Sequence, residues 1–97
     1  MGVIARKPLV EFSFKHPDAS IALEAWYRET EAAAWTSSVD IKTQYHSASV
    51  LNRRRVVFNI CGNKFRLVVD IHYLAKLVYI RFVGTHKEYN RIDAESI

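Results

Sequence analysis

The chain has 97 residues, 49% of them hydrophobic, a single cysteine and a net charge of +4. That length suits one domain, residues 1–97, with a single core and no metal or disulfide staple. No apolar run approaches the roughly 18 residues of a membrane span, the N-terminus lacks an apolar segment with a small-residue cleavage site, and Arg6 stands where a myristoylation signal needs Ser or Thr, so a cytoplasmic protein is expected.

In chain order, Val3, Ile4 and Ala5 suit a short first strand. Residues 6–15 suit a short helix with Pro8 in its first turn, where a missing N–H does no harm. His16 precedes Pro17 and is pushed out of helical geometry, which ends that helix. Asp18 is then a good N-cap for a second helix over residues 19–35, with Leu23, Trp26, Ala33 and Trp35 as the core stripe and Glu24, Arg28 and Glu31 in water. Residues 38–45 have the makings of one or two further helical turns.

Residues 56–60, 65–71 and 77–83 are apolar runs rich in β-branched and aromatic residues. They are separated by Gly62-Asn63 and by Leu74-Ala75-Lys76, which reads as a three-stranded meander. Cys61, set in an apolar run, reads as a structural thiol in a reducing compartment. Gly84 suggests a turn, and Thr85 with Glu88 three residues on satisfies a capping box for a short final helix.

Charge is segregated along this order. Residues 1–41 hold four basic and six acidic residues, residues 42–91 hold ten basic and two acidic, and the last six carry −2. A +8 segment joined to an acidic helical half points to an anionic partner, above all nucleic acid. In the middle strand, Lys64, Arg66, Val68, Asp70 and His72 share one face, while Phe65, Leu67, Val69 and Ile71 share the other. The second set is the natural core face, which leaves the first open; whether Arg81 of the next strand reaches that face turns on the strand register, which sequence alone does not fix. A surface pair between Arg66 and Asp70 is the plainer explanation of Arg66. Arg53, Arg54 and Arg55 alternate sides of an extended chain, so they cannot all approach one phosphate.

The four histidines have neither HxH nor HxxxH spacing, and there is no CxxC, Gly-rich phosphate loop or nucleophile elbow, so no metal or cofactor is expected. Cations with a histidine and a tyrosine suit metal-free cleavage of RNA. There the ribose 2′-OH is deprotonated and attacks the adjacent phosphorus, while arginine and lysine hold the developing charge. Two alternatives belong to other classes: an RNA- or ribosome-binding module that blocks translation without cutting, and an interaction domain whose cationic face docks an acidic protein.

The blocks HPDASIALEAWYRE (16–29), VVFNICGNKFRLVVDIHY (56–73) and YIRFVGTHKEY (79–89) together resemble the HigB family of type II toxins within the RelE superfamily. The resemblance implies an α+β fold: N-terminal helices packed on a curved, mostly antiparallel sheet, with a short C-terminal helix. It also implies an mRNA interferase that cuts in the ribosomal A site. The implied partner is a HigA-type helix-turn-helix antitoxin, through which alone operator DNA would be met.

By position, Arg66 in FRLV matches the arginine that such toxins use on phosphate. Thr85-His86-Lys87 replaces a basic residue after the last strand, making His86 a candidate acid or base and Lys87 a phosphate contact. Tyr89 lies near the tyrosine that serves RelE as a base, and the general base stays open between His86 and Tyr89. The lysines that RelE carries before these strands have no clean counterpart here, although Arg54, Arg55 and Lys64 are nearby. With Arg81 and Lys87 these complete the expected RNA contacts.

Overall fold

The computed structural model describes residues 1–97. Its elements are β1 (Gly2–Ile4), α1 (Lys7–Lys15), α2 (Ser20–Ala32), α3 (Ser38–Gln44), β2 (Ser49–Val50), β3 (Arg55–Ile60), β4 (Phe65–His72), β5 (Leu77–Thr85) and α4 (His86–Tyr89). The strands make one sheet in the order β1-β5-β4-β3-β2. β1 runs parallel to β5, and all other neighbours are antiparallel. This is the α+β architecture the sequence led us to expect, and the meander β3–β4–β5 is its centre. No helix is long and apolar enough to cross a membrane.

Alternation on the middle strand places the core. Phe65, Leu67, Val69 and Ile71 pack with Val56, Phe58, Ile60 and Val78 against Leu9 and Phe12 of α1, Leu23 and Trp26 of α2, and Trp35 and Ile41 beyond them. Trp26 meets Phe58 edge-on at 5.4 Å, and Trp35 stacks on the same ring at 6.1 Å. Large aromatic rings account for much of the area buried between helices and sheet.

Four local expectations are corrected. Asp18 caps no helix: it lies in a 3₁₀ turn (Pro17–Ala19) with no side-chain cap bond, and its carboxylate is paired to Lys64 instead. α2 stops at Ala32, because Ala33 turns extended and lets Trp35 fold back into the core. Cys61 is not part of a strand but an exposed turn residue with φ 55°, followed by Gly62 at φ 64°. Positive φ at these two residues reverses the chain within the short loop between β3 and β4, a conformation that costs glycine nothing.

Gly84, fourth, is not a turn but a buried position within β5. A Cβ there would lie 2.5 Å from Phe82 Cζ and 3.1 Å from Glu88 Oε1, so the glycine serves close packing. The Thr85 capping box forms as expected: Glu88 N–H donates to Thr85 Oγ1 at 3.1 Å, and Thr85 N–H donates to Glu88 Oε1 at 2.8 Å.

The face expected to be open is partly covered. Residues 90–97 return across it and bury Val57 and Val68 under Ala94, with Leu51, Phe82, Tyr89, Ile92 and Ile97 around them. A bulge in β5 contributes to this. Val68 pairs with Phe82 but Val69 pairs with Ile80, so Arg81 is the extra residue. Ile80 then joins the helix-side core, while Phe82 reaches the opposite face and Arg81 reaches Asp70 there.

Candidate functional site

The hairpin register brings the proposed reactive residues to one end of the sheet. Arg66 pairs with Gly84 and Phe65 with Thr85, so the start of α4 lies beside the guanidinium of Arg66. The His86 N–H donates to the Lys64 carbonyl at 3.1 Å and closes the corner. Arg66 Nη1 donates to the carbonyls of Asn63 at 3.0 Å and Phe65 at 3.3 Å, and its guanidinium carbon lies 5.7 Å from the centre of the Tyr89 ring. Turn carbonyls and an aromatic face thus hold the arginine, while Nε and Nη2 keep no protein partner. Asp70 is not its partner, contrary to the surface pair considered above.

Around it, His86 and Lys87 are exposed on the first turn of α4 and make no ion pair or side-chain hydrogen bond. Lys64 is exposed and ion-paired with Asp18. The hydrogen bond from Lys64 holds the Asp18 carboxyl below its usual range and raises the lysine in turn. The pair ties the β3–β4 turn to the start of α2, as does the Cys61 Sγ contact with the Asp18 carbonyl at 3.2 Å. The Thr85 N–H holds the Glu88 carboxyl low, with smaller help from His16 and Lys15.

His16 is the residue that sequence reasoning missed. Half-buried, it stacks on Phe12 at 4.4 Å, lies 5.5 Å from Phe65, and is near enough to Asp18 and Glu88 to lower both carboxyls. Its one sequence signal is the dipeptide with Pro17, which by itself predicts no more than a helix stop.

The remaining predicted contacts lie elsewhere. Arg55 is 7% exposed; its Nε and Nη2 donate to the two Asp70 oxygens at 2.6 and 3.3 Å, and its Nη1 donates to the Ala94 carbonyl at 2.6 Å. The expectation that Arg55 contacts RNA is therefore corrected: its guanidinium is spent inside the fold, fastening residues 90–97 to the sheet. Arg81 shares Asp70 at 3.7 Å and donates to the Ile97 carbonyl at 3.1 Å. Arg54 is exposed on the loop before β3, whose first residue pairs with Asp70. Four to six residues of strand, roughly 13–20 Å, separate this end from Arg66. Arg66, Tyr89, His86, Lys87 and Lys64 are thus brought together; Arg54, Arg55 and Arg81 are not among them.

No group of three or more His, Cys, Asp or Glu side chains is arranged to hold a metal ion. The corner instead offers an arginine with free donors, a flanking lysine, an imidazole and a phenol, a set suited to binding a phosphodiester and moving protons around it.

Comparison with known proteins gives a consistent result. The sequence model of one family, described as HigB_toxin, RelE-like toxic component of a toxin-antitoxin system, matches residues 19–92. An mRNA interferase HigB of Escherichia coli O6:H1 is 22% identical over 94 residues, covering 95% of this chain and 91% of that protein. An mRNA interferase HigB of Shigella flexneri is 28% identical over 96 residues, covering 97% of this chain and 92% of that protein.

Proposed function

The chain belongs to the HigB toxin family of RelE-like toxic components of toxin–antitoxin systems, and from that premise we propose that it is an endoribonuclease that cuts mRNA on the translating ribosome. Relatives named mRNA interferases that align along nearly all of this chain support the reaction class. The observation that carries the assignment is the corner itself, where Arg66 is held over Tyr89 beside the unpaired His86 and Lys87.

In this reading Arg66 grips a nonbridging phosphate oxygen with its free Nε and Nη2, and Lys87 neutralises the neighbouring phosphate. His86 carries protons, because an imidazole is the side-chain type that both gives and accepts them near neutral pH. The ribose 2′-OH loses its proton, O2′ bonds to phosphorus, and the P–O5′ bond breaks as the leaving oxygen is protonated. The products are a 2′,3′-cyclic phosphate and a 5′-hydroxyl end. Tyr89 holds the guanidinium in place and is the alternative base. Cleavage takes place in the cytoplasm, in the ribosomal A site, and a HigA-type antitoxin restrains it.

Expression without antitoxin tests the reading. Wild-type protein arrests growth, and Arg66→Ala, folded to the same level, does not. A folded Arg66→Ala chain that remains fully toxic sinks the assignment. Arrested synthesis with intact transcripts favours the non-cutting RNA-binding module instead.

A further inference from the structure

The end of the sheet opposite Arg66 carries a second cationic feature that neither the reaction corner nor the core explains. A groove of about 740 Å³ lies between the loop before β3 and the β4–β5 hairpin, lined by Asn52, Arg53, Arg54, His72, Tyr73 and Leu74 among others. Arg53 and Arg54 are adjacent and exposed, and neither side chain makes an ion pair or hydrogen bond. Arg6, Arg28, Arg55 and Arg81, by contrast, are each paired with a carboxylate.

The groove wall contains no acid. Of the nearest carboxylates, Asp70 is occupied by Arg55 and Arg81, and Asp40 accepts from the Thr36 N–H and hydroxyl. Two unpaired guanidiniums side by side repel each other, and a bound anion relieves that repulsion.

The loop that presents them is fixed in advance. Asn52 Oδ1 accepts from the N–H groups of Arg54 at 3.0 Å and Arg55 at 2.8 Å, and the Arg54 carbonyl accepts from Ile71 N–H at 2.8 Å. Two arginines on an ordered backbone lose less entropy on binding a phosphate than two on a mobile tail. Beside them His72 rests against Tyr79 at 5.0 Å, Tyr73 is half-buried with its phenol pushed up by burial, and Leu74 is wholly exposed. Cations with an apolar and aromatic margin suit nucleic acid, whose charged backbone runs beside flat bases.

Resting on the reading of this chain as a protein that acts on RNA, we infer that this groove is a second RNA site, in which Arg53 and Arg54 hold backbone phosphates roughly 20 Å from Arg66 along β4. Residues 90–97 cover the sheet between the two ends, so the second site takes a stretch of RNA separate from the scissile bond. The phosphates belong either to another part of the cut strand or to ribosomal RNA.

Binding of the full-length protein decides this, measured against salt with a 2′-O-methyl oligoribonucleotide that cannot be cut and, separately, with vacant ribosomes. The double variant R53Q/R54Q lowers the salt slope by about 1.4, at roughly 0.7 per phosphate contact on a single strand, which amounts to about 25-fold in affinity per decade of salt. R53K/R54K retains most of the slope, because charge rather than fork geometry carries this contribution. A reduced slope on the oligonucleotide assigns the site to the cut strand, and one on ribosomes alone assigns it to ribosomal RNA; either supports the site. An unchanged slope on both probes, in R53Q/R54Q melting as the wild type does, overturns the second site. Weakened binding by Arg66→Gln would in that case leave the proposed function standing. Wild-type protein that binds neither probe overturns both readings.

Discussion

Replacing Arg55 with alanine separates a residue that holds the fold from residues that meet RNA. The change removes two charge-assisted bonds to Asp70 and one to the Ala94 carbonyl. Breaking a buried ion pair costs about 3–5 kcal/mol, mostly by stranding the partner's charge. Here the side chain of Asp70 is 19% exposed and keeps Arg81 at 3.7 Å, which argues for the lower end. Ala94, nearly buried, loses its donor as well. A loss of about 3 kcal/mol follows, or roughly 12–24 °C in melting temperature for a domain of this size. Urea unfolding should show an earlier midpoint at unchanged slope. Arg66→Ala should cost about 1 kcal/mol, since it leaves the exposed turn carbonyl of Asn63 to water and gives up only a long 3.3 Å contact to the part-buried carbonyl of Phe65. A stable Arg55→Ala protein, within about 1 kcal/mol of wild type, would refute the role given to Arg55.

Other perturbations probe the rest of the account. Thr85→Ala removes the hydroxyl arm of the capping box, the acceptor for the Glu88 N–H, and should cost about 1 kcal/mol in chemical unfolding, while displacing His86 enough to lower activity more than stability suggests. Because Asp18 and Glu88 titrate below their unfolded values, the stability they contribute is present above about pH 4.5 and is lost as pH falls through the depressed folded values. Glu88→Gln should therefore flatten the acid limb of a melting-temperature profile, and an identical limb would contradict the assignment. Cys61 should react with a thiol reagent in the native protein at a rate independent of added denaturant. Labelling that requires unfolding would place it in the core after all.

Much of this molecule could be read from period and turn chemistry. Alternation in residues 65–71 picks out the core face, because each side chain there is either toward the helices or away from them. The Thr85 box is local and needs only its own four residues. What stayed hidden depends on distant partners. Alternation says which residues share a face, not what covers it, so the return of residues 90–97 over Val68 left no local mark. One extra residue at Arg81 resets the parity of the last strand, and no composition signal distinguishes it from the apolar run around it. Arg53, Arg54 and Arg55 look alike in sequence, yet only the third meets Asp70 across the β3–β4 pair. Within the candidate site, Arg66 and Tyr89 are 23 positions apart and meet because two hairpin strands align them, whereas His16 arrives from the helical layer.

The most direct measurement is 5′-end mapping of a reporter mRNA incubated with the purified protein, with and without translating ribosomes, using Arg66→Ala in parallel. The account predicts 5′-hydroxyl ends in register with codons, only during translation and only with wild-type protein. Intact mRNA alongside arrested synthesis, or equal cutting by folded Arg66→Ala, would contradict it.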